Sequence, residues 1–275
     1  MVAFPNAKIN LGLNILRRRP DGYHDISTVM VPVGWKDILE IVPAADTPSS
    51  LTVSGNHVDC PPEKNLVMKA LRLMESCREV PASAIYLRKI IPDGAGLGGG
   101  SADAAFTLTT LNSLYSLGLS DGELEAMAAN LGADCPFFVG NRPMLCSGIG
   151  TEFTPVDVDL SGFRLLIVKP PVHVSTAEAY AGVSPRIPAE SIAEIVGRPV
   201  AEWRGRLVND FETSVFVRHP ELAAIKEYLY GLGAVYASMS GSGSSIYGLF
   251  PLDADNLSER VTRSFGGCVT FVQDF

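Results

Sequence analysis

Residues 7–16, AKINLGLNIL, alternate between apolar and polar positions. Ile9, Leu11, Leu13 and Ile15 fall on one side of an extended chain, and Lys8, Asn10, Gly12 and Asn14 on the other. A period of two predicts a half-buried strand. Strand-like runs follow at 25–33, 37–43 and 50–54, so the first third is mostly β. The pattern then turns helical over 64–76, with Leu66, Ala70, Leu73 and Met74 on one stripe. A strand at 84–91 runs into a glycine-rich stretch that opens directly into an apolar helix at about 101–117. Ser120 and Glu123 have the spacing of a capping box, which starts a helix over 121–131.

The last third has another rhythm. A strand at 163–169 is followed by a variable helical stretch, then a helix that starts after Pro220 and ends near Gly231. Strands at 233–239 and 244–250, a helix near 253–264 and a strand at 267–272 complete it. The order β-α-β-β-α-β is that of a ferredoxin-like split βαβ unit. The stretch 148–162, rich in Gly, Pro and Asp, marks a boundary by composition, giving domains of 1–150 and 151–275 in an α+β chain.

Hydrophobic residues make up 47% of the 275 and charged residues 19%, enough apolar material for a core and too little charge for disorder. The net charge of −8 and the pI near 5.0 argue against nucleic acid or an anionic membrane as partner. An anionic small molecule remains open, through local donors. The five cysteines are odd in number and lack CxxC spacing, so neither a zinc site nor a disulfide framework is expected. With no apolar run of membrane-spanning length and no signal-like N-terminus, the expected setting is the cytoplasm. Nothing in the sequence indicates an oligomeric state.

The strongest chemical signal is Pro92-Asp93-Gly94-Ala95-Gly96-Leu97-Gly98-Gly99-Gly100-Ser101. Glycines remove the side chains that would hold a ligand off the backbone. The helix that follows offers unpaired N–H groups and a positive dipole end, so strand, loop and helix together form a phosphate cradle. Gly94, Gly96 and Gly99 satisfy G-x-G-x-x-G, but a second helix follows where a dinucleotide fold needs a strand. No lysine follows the glycines, against a Walker loop, and the protein-kinase motifs are missing.

What remains resembles the GHMP kinases. Pro92, Gly96, Leu97 and Ser101 match their P-x3-G-L-x-x-G-S phosphate loop, Pro5–Leu11 their N-terminal P-x-x-K-[IL]-N-L motif, and Ser240–Ser245 their C-terminal glycine motif. Within that family Pro20-Asp21-Gly22-Tyr23-His24, the triple glycine 98–100 and Gly132-Ala133-Asp134-Cys135-Pro136-Phe137 resemble one branch. That branch phosphorylates the 2-hydroxyl of a cytidine-diphosphate-linked alcohol on the non-mevalonate route to isoprenoids. A mevalonate-type or homoserine-type substrate is the alternative. The resemblance implies the family fold, an N-terminal α/β domain (ribosomal S5 domain 2-like) that binds ATP and a C-terminal ferredoxin-like domain.

The resemblance also implies roles where the residues alone read more plainly. Asp134, by itself an aspartate holding a turn, becomes the general base for the attacking hydroxyl. Lys8, otherwise a surface lysine, becomes its partner and a stabiliser of the transferring phosphoryl group. Asn10 shares a strand side with Lys8 and would bind substrate hydroxyls or diphosphate. Tyr23 and His24, otherwise a loop pair, would hold the cytosine, with Tyr180 or its helical-core role on the second face.

Positions 92–101 would hold the phosphates. Ser101 is an N-cap whose hydroxyl would also touch phosphate or magnesium, while Ala102 lacks the second hydroxyl of many relatives, and Asp93 is expected to turn away. Asn65 is a helix cap or an adenine contact. Gly241 and Ser242 form a hairpin turn or contact the diphosphate. No carboxylate cluster suggests a protein-held metal, so Mg2+ is expected to arrive on ATP.

Overall fold

The computed structural model describes residues 1–44, 47–58 and 60–275. The elements in order are β1 (Val2–Ala3), β2 (Asn6–Arg18), β3 (His24–Lys36), β4 (Ile38–Pro43), β5 (Ser50–Gly55), α1 (Leu66–Cys77), β6 (Ser83–Lys89), α2 (Gly99–Leu114), α3 (Asp121–Ala129) and α4 (Phe137–Gly140). There follow β7 (Met144–Ser147), β8 (Glu152–Pro155), β9 (Phe163–Lys169), α5 (Thr176–Ala181), α6 (Ile192–Val196), α7 (Glu212–Arg218) and α8 (Pro220–Gly231). The chain ends with β10 (Tyr236–Met239), β11 (Ile246–Pro251), α9 (Leu257–Ser264) and β12 (Val269–Asp274). They form two compact units, each discontinuous in sequence: residues 1–8, 32–93 and 98–142, and residues 9–31, 94–97 and 143–275.

In the first unit a sheet of order β1-β4-β6-β5 is antiparallel except for the parallel pair β5–β6. Strand alternation turns Leu39, Ile41, Ile85 and Leu87 to one face. Val67, Ala70, Leu71 and Met74 of α1 and Ala104, Leu108 and Leu111 of α2 close over these side chains as one core. Asn65 caps α1, its side chain accepting from the Val67 N–H. The expected Ser120–Glu123 capping box starts α3.

In the second unit β9, β10, β11 and β12 form an antiparallel sheet of order β10-β11-β9-β12. The first strand of the repeat thus lies between the third and the fourth, as the ferredoxin-like order requires. Leu222, Ile225 and Leu229 of α8 and Val261 of α9 pack with Leu166, Val168, Ala237, Ile246 and Phe250. Leu13 and Ile15 of β2 and Ile26 of β3 belong to the same core. The third sheet has the order β2-β3-β7-β8.

The compact units are discontinuous in sequence, unlike the continuous domains read from composition. Residues 9–31 and 94–97 group with the C-terminal residues, because the apolar side of β2 is buried in the C-terminal core. Strand β2 is not half-buried: from Asn6 to Ile15 both sides are covered. Its polar side is satisfied internally, with Asn10 Nδ2 donating to Thr28 Oγ1 at 3.0 Å and Thr28 Oγ1 donating to the Gly12 carbonyl at 2.6 Å. Strands β7 and β8 span four residues each, too few for alternation to register. The variable helical stretch resolves into the short helices α5, α6 and α7. Among the described residues no helix is long and apolar enough to cross a membrane.

Leu71 has no exposure in the α1–α2 core. Leu71→Ala is expected to destabilise the protein by about 2–5 kcal/mol, from lost transfer energy plus the cavity left behind. Urea denaturation followed by circular dichroism checks this, through a lowered midpoint at unchanged slope.

Candidate active site

In the first unit the polar side of β2 delivers Lys8, whose side chain is only 3% exposed. A buried ammonium needs a carboxylate. Asp134 supplies it from the turn after α3, with Lys8 Nζ 3.4 Å from Asp134 Oδ2. Asp134 keeps 33% of its side-chain surface, so an incoming molecule can reach it. The surface-lysine reading of Lys8 fails, because β2 is covered on both sides.

The glycines shape the floor beside this pair. Gly98 has a φ of 72° at the N-cap of α2. A Cβ there would stand 2.9 Å from Phe138 Cζ and 3.1 Å from Lys8 Cγ, so only glycine lets the loop lie this close. A Cβ at Gly99 would stand 3.3 Å from Lys89 Nζ. Because Gly98 takes the cap and its carbonyl accepts from the Ala102 N–H, Ser101 is not the N-cap expected from sequence. It lies in the first turn of α2, its hydroxyl hydrogen-bonded to the Cys135 thiol. Burial pushes that thiol up to about 11, so Cys135 is an inert packing group. Ala102 is fully buried.

A cavity of about 160 Å³ lies next to the start of α2, lined by Val58, Cys60, Leu66, Asn65, Lys89 and Asp103 among others. Gly100 and the exposed Asp93 also line it. Asn65 caps α1, its Oδ1 accepting the Val67 N–H at 2.9 Å, and it lines the cavity. Lys89 ion-pairs with both Asp37 and Asp103 below this wall. That cluster was not anticipated. Its signals were there: alternation through Ile85 and Leu87 puts Lys89 on the inner side of β6, and Asp103 is the sole charged residue of α2.

In the second unit the turn Pro20-Asp21-Gly22 is fixed by Gly22 at a φ of 89°, and Asp21 accepts from the Tyr23 N–H at 3.0 Å. The His24 ring stacks on Tyr180, centroids 4.9 Å apart and planes 24° from parallel. Tyr180 also meets Phe211 edge-on at 4.9 Å, so it packs with the core and presents a face at once. A cavity of about 450 Å³ is lined by His24, Tyr180, Arg18, Ala177, Val183 and Pro185. Tyr23 is 62% exposed and does not line it.

The loop 240–245 is held by a network in the same unit. Ser240 Oγ donates to the Gly96 carbonyl at 2.9 Å, and the Ser245 N–H donates to the Ala95 carbonyl. A Cβ at Gly96, where φ is 74°, would overlap the Ser240 carbonyl oxygen. A Cβ at Gly94 would stand 3.0 Å from His173 Nδ1. Asn10 comes close to Gly241, 3.3 Å from its Oδ1 to where a Cβ would stand. Ser242 is half-buried, its hydroxyl 3.5 Å from that of Thr176. Sequence reasoning missed Asn209, whose buried Nδ2 donates to the carbonyls of Met239 and Gly241 at 2.9 and 2.8 Å. No local pattern marks it.

Two family models match the chain: the GHMP kinases N terminal domain over residues 65–141 and the GHMP kinases C terminal over 192–267. The chain is 54% identical to a 4-diphosphocytidyl-2-C-methyl-D-erythritol kinase of Parabacteroides distasonis, over 91% of this chain and 92% of that one. It is 44% identical to the protein of the same name from Cytophaga hutchinsonii, over 98% and 99%. A crystal structure of a 4-(cytidine 5'-diphospho)-2C-methyl-D-erythritol kinase superposes with a TM-score of 0.80 at 32% identity, covering 99% of this chain and 98% of that one. A mevalonate kinase of Methanococcus jannaschii, at 13% identity, TM-score 0.72 and coverage of 100% and 98%, shares the fold. Phosphate-loop glycines, a ferredoxin-like second unit and both family models agree, and the chain belongs to the GHMP kinases.

Proposed function

We propose that the protein transfers the γ-phosphoryl group of ATP to the 2-hydroxyl of 4-diphosphocytidyl-2-C-methyl-D-erythritol, a step toward isoprenoid precursors. The observation that carries this reading is the Lys8–Asp134 pair at 3.4 Å. It is supported by relatives of that name at 44–54% identity over nine-tenths or more of the chain. On this reading residues 1–150 are the ATP-binding domain and 151–275 the second kinase domain.

The chemistry follows from the groups present. Asp134 accepts the proton of the substrate hydroxyl as its oxygen attacks the γ-phosphorus in line with the departing ADP. Lys8 holds the carboxylate in place and offers positive charge to the phosphoryl group in transit. The triphosphate lies on Pro92–Ser101, where glycine backbone and the first N–H groups of α2 face it. Adenine takes the cavity beside Asn65, and Mg2+ enters on the phosphates as part of the substrate. Among the described residues no three His, Cys, Asp or Glu side chains converge to hold a metal. Tyr180 and His24 hold the cytosine, with Tyr23 closing from its exposed turn. Asn10, Gly241 and Ser242 serve the diphosphate or hydroxyls.

A coupled ADP-release assay tests the base. Asp134→Asn keeps an acceptor for Lys8 and should fold like wild type, while kcat falls by about 10²–10⁴-fold. Turnover that survives the change would remove Asp134 from the chemistry and leave the kinase assignment standing.

Tyr180→Ala removes a stacking surface of about 1–3 kcal/mol, so KM for the cytidine substrate should rise roughly 5- to 150-fold with KM for ATP unchanged. An unchanged cytidine-substrate KM would favour a family substrate that has no base.

A further inference from the structure

Three charged side chains are buried together beneath the start of α2. Lys89 ends β6, Asp37 lies between β3 and β4, and Asp103 sits in the second turn of α2. Lys89 Nζ contacts Asp37 Oδ2 and reaches Asp103 Oδ2 at 2.6 Å. Two carboxyl groups share one ammonium, so the cluster carries an excess negative charge when all three are ionised. The carboxyls are not equally served. Asp37 Oδ1 also accepts from the N–H groups of Ile90 and Ile91 at 2.5 and 2.8 Å. Asp103 Oδ1 is buried with no hydrogen-bond partner. A buried carboxylate left half-satisfied beside a second carboxylate is the member that neutralises.

The cluster adjoins the phosphate cradle. Lys89 Nζ stands 3.3 Å from where a Cβ of Gly99 would be, and Lys89, Asp103 and Gly100 line one cavity. Lys64 and Asp93 line the same cavity, and being exposed they are screened by water. An anion held at the start of α2 raises the cost of an excess buried negative charge just below it.

We propose that Asp103 takes up a proton when the triphosphate of ATP binds at the start of α2, so that the Lys89–Asp37–Asp103 cluster becomes neutral as the anion arrives. This rests on the ATP reading above. Burial, and then the charge and hydrogen bond of Asp37, push Asp103 up to about 7 against the opposing pull of Lys89. The group is therefore poised to respond at neutral pH. Proton and nucleotide help each other reciprocally, as linkage requires. Asp103 is a positioning residue for charge and touches no reacting atom. The sign is fixed: affinity for the nucleotide falls as pH rises through about 7, because binding then has to recruit the proton.

Isothermal titration calorimetry with a non-hydrolysable ATP analogue and magnesium tests this. The experiment is run above pH 7, in buffers of different ionisation heat. Wild type should take up a substantial fraction of a proton per nucleotide bound, and Asp103→Asn markedly less. Asp103→Asn should also bind tighter than wild type above pH 7, the difference closing in acid. A merely structural role for Asp103 would lower affinity at every pH and leave proton uptake unchanged, which overturns the proposal. Wild type alone gives a second reading should the variant misfold: uptake must fade below about pH 6, where Asp103 already holds its proton. Failure of folded wild type to bind the analogue at any pH would sink the ATP reading itself, a result distinct from binding without proton uptake.

Discussion

An ammonium group taken out of water costs several kcal/mol unless a carboxylate meets it. The first unit buries two, Lys8 and Lys89, and much of its construction answers that demand. Lys8 requires the turn after α3 to bring in Asp134. Lys89 requires the β3–β4 connection to bring in Asp37 and α2 to bring in Asp103. The start of α2 is thereby fixed on two sides, with the bare Cα of Gly98 against the Lys8 stem and that of Gly99 against the Lys89 ammonium. A side chain at either glycine would separate the helix terminus from one of the two cations. The requirement for glycine is thus a packing requirement as well as a matter of access for phosphate.

The two pairings differ in what they can do. Asp134 retains a third of its side-chain surface, so a hydroxyl can approach its free oxygen. Asp37 and Asp103 are buried, both paired with Lys89, and Asp37 also accepts two backbone N–H groups. Exposure, rather than charge, thus separates the two kinds of carboxylate. In the second unit the corresponding framework is neutral. Asn209, Ser240 and Asn10 tie the 240–245 loop with hydrogen bonds to backbone.

The legible part of the molecule was whatever carries a period or a motif. The ferredoxin-like order, the α1 stripe, the Ser120 capping box and the glycine loop all follow from local spacing. The illegible part depends on contacts distant in sequence. Alternation in β2 correctly sorted its two sides, yet burial of Asn10 depends on Thr28 at its side chain and on the hydroxyls of Ser240 and Tyr247 at its backbone. Gly98 displaced Ser101 from the cap because a left-handed turn was needed against Phe138, which only packing reveals. Asp103 stood out in sequence as a lone charge in an apolar helix, and such a residue asks for a buried partner before its own role can be read.

The His24–Tyr180 stack can be weighed against the base it is proposed to hold. A stacked aromatic pair is worth about 0.5–1.5 kcal/mol beyond its burial. A base on one aromatic face is worth about 1–3 kcal/mol, and a base inserted between two rings gains on both faces. Exchange of the intramolecular stack for a base is therefore favourable or neutral even at the low end. Phe211 holds the other side of Tyr180 edge-on, so the ring need not reorient when the partner changes. The moving parts are then His24 and the exposed Tyr23, on the short Gly22 turn. Recognition of the base on this reading is an exchange of stacking partners at a fixed tyrosine, with the ordering cost confined to the turn.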